Sequence, residues 1–174
     1  MYFNTIPKIY YDSVGDKNPK IVTNILRRVG LRAKVKTNTL LFDTYDVKEG
    51  ETPEIIAHKL YGESELHWIV MLVNNVVDRF HDWPMSVPQF NSYINEKYAD
   101  PSGVHHYEIE QTSGSTKTKI EVTDLTNYPS ASTVTNYEYE QRRQDDLRKI
   151  RLLDPRYKDQ FVEEYENLMR ETSI

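Results

Sequence analysis

The stretch Tyr45-Asp46-Val47-Lys48-Glu49-Gly50-Glu51-Thr52-Pro53-Glu54-Ile55-Ile56-Ala57-His58-Lys59-Leu60-Tyr61-Gly62 decides the fold class, because it passes from a strand pattern to a helix pattern through one turn. Leu40 to Val47 reads as a strand, and Lys48-Glu49-Gly50 closes it. Thr52 then offers a capping oxygen, Pro53 a preset φ for the first turn, and Glu54 a negative charge near the positive helix end. Ile55, Ile56, Lys59 and Leu60 carry the helix until Tyr61-Gly62 ends it. After a tight turn, Glu65 to Val73 is apolar on most faces, which predicts a short helix buried on several sides, and Asn74-Asn75 breaks it. Strand, helix, turn and helix in this order make a compact unit whose helices cover one face of a small sheet.

On the amino-terminal side, residues 1–15 lack a helical period, and Ile9-Tyr10-Tyr11 is the one strand-like run of an extended arm. Asn18-Pro19 followed by Ile21, Ile25, Leu26 and Val29 predicts a short amphipathic helix over residues 19–29, stopped by Gly30. Arg27, Arg28, Arg32, Lys34 and Lys36 make this the most basic part of the chain. No stacking aromatics are interleaved with them, so the patch reads as a solvated face or a contact for an acidic protein, not as a nucleic-acid site.

On the other side, Ser86 and Pro88 open a helix through Phe90, Tyr93, Ile94 and Tyr98, which Asp100-Pro101-Ser102-Gly103 terminates. His105 to Glu110 and Lys119 to Thr123 alternate around Thr112-Ser113-Gly114-Ser115 and predict a β-hairpin. Asn127 to Thr135 reads as a loop or linker. Tyr137 to Leu153 predicts a helix with a narrow stripe of Leu147, Ile150 and Leu153 and an Asp145–Lys149 ion pair. Asp154-Pro155 restarts a second helix lined by Tyr157, Phe161, Tyr165, Leu168 and Met169. Such a pair buries little by itself and must dock on the core or on another protein.

The 174 residues are 38% hydrophobic and 28% charged, with mean hydropathy −0.71 and net charge −5. That length builds a real core. The acidic balance disfavours nucleic acid and anionic membranes as partners. No cysteine is present, which excludes disulfide scaffolds, thiolate metal sites and cysteine nucleophiles. The beginning of the chain lacks a secretory signal pattern and no run approaches a membrane span, so the expectation is folding and work in the cytosol. Tyrosine outnumbers phenylalanine 13 to 5, a bias suited to half-buried contact surfaces.

Catalytic chemistry is thinly represented. His58, His67, His81, His105 and His106 fall in no metal-ligand spacing, so no cofactor or metal is expected. Glu108 with Glu110, or Asp78 with Asp82, supplies the residue types of a glycosidase pair, yet alternating acids on a strand are read first as its solvent face. No nucleophile elbow, phosphate-binding loop, dinucleotide fingerprint or zinc-protease motif is present. The expectation is no enzyme and no small-molecule substrate.

The segment Tyr45 to Gly62 resembles the opening of a LysM domain, Y-x-V-x-x-G-D-T-x-x-x-I-A, with Glu51 in place of the usual aspartate. The continuation through Leu66, Trp68 and Asn74-Asn75 matches too, but after Asn75 Asp82-Trp83-Pro84 replaces the usual G-Q-x-L-x-I-P ending. The resemblance implies Val47, Ile56, Leu60, Trp68 and Leu72 as core residues of a LysM-like segment. Over most of its length the chain resembles the wedge protein 53 family of contractile-tailed bacteriophages of the T4 type. That likeness rests on Leu60-Tyr61-Gly62, on Leu66 to Asn75, on Trp83, and on Tyr137-Glu138 with Asp146 to Leu153 and a last helix.

The resemblance implies a structural subunit of the virion tail baseplate, made and assembled in the host cytoplasm. It would contact wedge core proteins, join neighbouring wedges around the hub, and reach hub proteins. The fold expected is α+β: a small LysM-like β-α-α core with an added β-hairpin (residues 40–126), an N-terminal arm and short helix (1–39), and a C-terminal helical pair (136–174). Tyr10, Tyr11, Tyr157, Phe161 and Tyr165 are the expected protein-interface residues. The rival reading is a LysM-type module that binds peptidoglycan glycans through loops near Gly50-Glu51 and Asn74-Asn75.

Overall fold

The computed structural model describes residues 6–15, 17–31, 40–112, 114, 118–123 and 125–170. The strands are β1 (Lys8–Tyr11), β2 (Lys20–Thr23), β3 (Phe42–Asp46), β4 (Val104–Glu110), β5 (Lys119–Val122), β6 (Ser132–Thr135) and β7 (Lys149–Leu153). The helices are α1 (Pro53–Tyr61), α2 (His67–Val73), α3 (Val87–Lys97), α4 (Asn136–Arg148) and α5 (Lys158–Arg170). The class is α+β. Two compact units form, one from residues 1–47, 51–82 and 150–174, the other from 48–50 and 83–149. The carboxy-terminal segment is divided between them, α4 falling in the second unit and α5 in the first.

In the first unit α1 starts and stops as its sequence dictates. Thr52 Oγ accepts a hydrogen bond from the Ile55 N–H at 3.4 Å. Gly62 takes φ 79° and donates its N–H to the His58 carbonyl, a left-handed position that a side chain would strain. Ile56, Ala57 and Tyr61 on α1 and Ile69, Val70 and Val73 on α2 are buried. The sheet pairs β3 with β7, so a strand that follows directly on the second unit in sequence completes the β-α-α unit. The Tyr61 hydroxyl donates to the Leu153 carbonyl at 3.1 Å, and burial pushes its phenol pKa up.

Asn74 fastens β7 from the end of α2. Its amide nitrogen donates to the Arg151 carbonyl and its oxygen accepts from the Arg151 N–H, both at 2.8 Å, so the side chain pairs with β7 as a neighbouring strand would. Beside this sheet lies a cluster of Ile6, Tyr165 and Met169, with Val29, Trp68 and Leu72 packed against it.

Residues 19–29 do not form the expected helix. Lys20–Thr23 is strand β2, paired antiparallel with β1, Ile9 opposite Val22 and Tyr10 opposite Ile21. The β-branched run Ile21-Val22-Thr23 favours extended chain, and cross-strand partners give it more than a short isolated helix would. The turn is held by Asp12, whose carboxylate accepts from the N–H groups of Val14 (3.2 Å), Gly15 (2.7 Å) and Lys17 (2.9 Å). Arg32, Lys34 and Lys36 of the basic run lie outside the described residues.

In the second unit β4 is the central strand of a sheet ordered β5-β4-β6, antiparallel throughout. The β4–β5 hairpin was legible in sequence; the Ser113 and Ser115 positions of its turn lie outside the described residues. The expected linker 127–135 is corrected by β6, which Val134 anchors in the core. Its Thr135 caps α4: Thr135 Oγ accepts from the Glu138 N–H and Glu138 Oε2 from the Thr135 N–H, at 3.2 and 3.0 Å. Helix α4 ends at Arg148, not at Leu153, because Ile150, Leu152 and Leu153 bury themselves as a strand against β3. Lys149 consequently pairs with Asp146 at 2.9 Å instead of the expected Asp145.

Candidate interaction surfaces

The β1–β2 hairpin is the most open element described. All eight strand residues are exposed. Directly opposite residues of an antiparallel pair share a face. Ile9 and Val22 are 39% and 37% exposed, whereas Tyr10 and Ile21 on the other face are 75% and 61% exposed. One face is thus partly covered and the other is open. The hairpin is anchored at its ends by Ile6 in the core cluster and by the Arg27 guanidinium, which donates to the Leu168 carbonyl at 3.2 Å.

A groove of about 560 Å³ in the same unit is floored by Trp68, Met71, Leu72 and Val76 and rimmed by Ile25, Arg28 and Val77. Next to Val77 the chain makes a self-capped loop. Asp82 accepts from the N–H groups of Val77 and Asp78, and Asp78 accepts from the Phe80 N–H and from His81 Nδ1 at 2.6 Å. These bonds hold both carboxyls below the usual carboxylate range. Arg79 ties the loop to Glu54 at 3.0 Å, and Phe80 stays 79% exposed. Asp78 and Asp82 therefore build a turn, and their carboxylates are engaged by the loop's own N–H groups.

The aromatic stripe of α5 divides. Tyr165 is buried with its ring 4.4 Å from that of Trp68, and Phe161 is half-buried at 6.1 Å from the same indole. Tyr157 is half-buried, while Tyr10 and Tyr11 are open. Of the LysM-like positions, Val47 and Ile56 are buried, Trp68 and Leu72 are partly buried against the core cluster, and Leu60 is half-buried. The polar groups that a glycan reading needs already have partners within the chain. Glu51 accepts from the Tyr45 hydroxyl at 2.8 Å and pairs with Lys59 at 2.5 Å, and Asn74 holds β7.

The second unit carries two carboxylates with cationic partners. Glu140 is buried and accepts from Lys97 Nζ at 2.6 Å and the Tyr98 hydroxyl at 2.9 Å. Burial would raise its pKa, but these partners outweigh it and lower it, and the Lys97 pKa rises in turn. Glu108 lies in a polar depression of about 490 Å³ with Arg142 at 2.7 Å, His106 at 3.1 Å and Lys119 at 3.2 Å. Burial alone would lift the Glu108 pKa, yet bonds from Arg142, His106 and Lys119 hold it at about 2. A carboxyl so firmly ionised is no proton donor near neutral pH, which removes the general-acid role a glycosidase reading would assign to it. A register shift at His105 sets its ring stacked on Tyr139 at 3.9 Å. Among the described residues no group of three or more His, Asp or Glu is arranged to hold a metal ion.

A family model described as base plate wedge protein 53 matches residues 1–167. The chain belongs to this family. A search of curated proteins returns no match. As a base plate wedge protein the chain is a structural part of a bacteriophage tail base plate, and it interacts with other base plate components. No helix among the described residues is long and apolar enough to cross a membrane. Sequence reasoning pointed at Tyr10 and Tyr11 but missed the Asn74 clamp, the Glu140 cluster and the presented Phe80. The doublet Asn74-Asn75 and the close spacing of Asp78 and Asp82 were the available signals for two of these.

Proposed function

We propose that this wedge protein is an adaptor that contacts wedge core proteins and links adjacent wedges around the hub, with no catalytic step. The observation that carries the reading is the family match over residues 1–167 together with an open, preorganised hairpin. Tyr10 on one face of the hairpin and Tyr11 on the other are contact residues, and Tyr157 and Phe161 border a further surface. Tyr165 belongs to the core that positions this further surface. Once one surface is docked, another is held at high effective concentration, so modest contacts add up to firm assembly. A repeated contact closes into a ring only when the rotation per wedge is right, and a small subunit touching two wedges sets that angle.

The LysM-like segment serves as scaffold in this account. Co-expression with the other wedge subunits of the same phage, followed by mass measurement, tests it. The expected product is a complex containing this chain. Saturable binding of the isolated protein to insoluble peptidoglycan, with no wedge complex, overturns it.

A further inference from the structure

An isolated two-stranded hairpin is marginal in water, and this one keeps its shape through the Asp12 turn and anchors at both ends. Preorganisation of that kind lowers the ordering cost of binding. The open face centres on the Tyr10–Ile21 pair, with Lys8 and Thr23 beside it. Asp12 turns its carboxylate onto its own backbone, whereas Lys8, Lys17 and Lys20 have no ion-pair partner among the described residues. The charge of the whole chain is polarised in the same sense. Eight Lys or Arg stand against two Asp before residue 40, a balance of +6, and fourteen against twenty-five Asp or Glu after it, a balance of −11.

We propose that the Tyr10–Ile21 face of the hairpin docks on another wedge subunit, at a surface where an apolar depression is bordered by Asp and Glu side chains. This deepens the wedge reading above and rests on it. Tyr10 fills the depression as a rigid amphipathic anchor, and Lys8 on the same face meets the carboxylates. A phosphate backbone fits less well, because the face is mainly apolar and the remaining chain at −11 repels polyanions.

The probe is the complex of the remaining wedge subunits of the same phage, purified without this chain. The full-length protein is added and treated with a zero-length carbodiimide, which joins lysine amines to carboxylates in direct contact. The expected result is cross-links from Lys8 to Asp or Glu of another wedge subunit, and cross-links from Lys20 alone, on the opposite face, count against it. Tyr10→Ser/Ile21→Ser should weaken binding at least tenfold with an unchanged melting temperature. Lys8→Glu, which leaves Tyr10 and Ile21 intact on the same face, should weaken it severalfold and flatten its salt dependence. Wild-type affinity in both variants overturns the inference alone. So do cross-links that run to a second copy of this chain, or tighter binding of the hairpin to duplex DNA or anionic vesicles than to the subunits. Failure of the wild-type chain to bind the wedge complex overturns both this inference and the wedge reading.

Discussion

Within each unit single side chains fasten one element to another, and three of them give measurable consequences. Asn74 stands in for a strand neighbour, so Asn74→Ala leaves the Arg151 N–H and carbonyl without that partner and should cost about 1–3 kcal/mol in urea unfolding. Trp68 sits between Tyr165 and Phe161, and Trp68→Ala should cost about 3–5 kcal/mol by the same measurement. Glu108 makes stability depend on acid. Its folded pKa of about 2 lies below the unfolded value of about 4.3, so its contribution is complete above that value and is lost as pH falls toward 2. Unfolding followed from pH 5 downward should therefore show a shallower loss for Glu108→Gln than for the wild type. Equal slopes would mean that the Arg142, His106 and Lys119 contacts are not maintained in solution.

At the scale of elements, β7 is the piece on which the first unit depends. It pairs with β3, carries Ile150, Leu152 and Leu153 into the core, and precedes the helix that brings Tyr165 and Met169 to Trp68. Removing residues 149–174 should abolish cooperative thermal melting of the first unit by circular dichroism, whereas a detachable tail would leave it intact. The elements legible in sequence were those whose signals are local. Thr52, Pro53 and Gly62 delimit α1, Ser86 and Pro88 open α3, and alternation around Gly114 marks β4 and β5. The misread elements are those decided by distant partners. Leu147, Ile150 and Leu153 satisfy a helical spacing, yet Ile150 and Leu152 equally satisfy a strand, and only the edge of β3 selects between them. Residues 20–23 are likewise extended because β1 is there to pair with. The open face at Tyr10 was half legible: the tyrosines pointed to contact, but Ile21 joins them only through the register.

For the molecule as a whole, function follows from where apolar surface is left open and where charge is left unmatched. The carboxylates of buried Glu51 and Glu140 and of half-buried Glu108 are held by cations as structural pairs. Among the apolar surface left open are the hairpin, the groove rim at Ile25 and Val77, and the Phe80 loop, a distribution suited to a subunit held by several neighbours. The most direct test mixes the full-length chain with the purified wedge subunits of its phage and weighs the products by native mass spectrometry. This account predicts wedges that carry the chain and that close into rings when it is present. Rings that close equally well without it, with the chain remaining free in solution, would contradict the account.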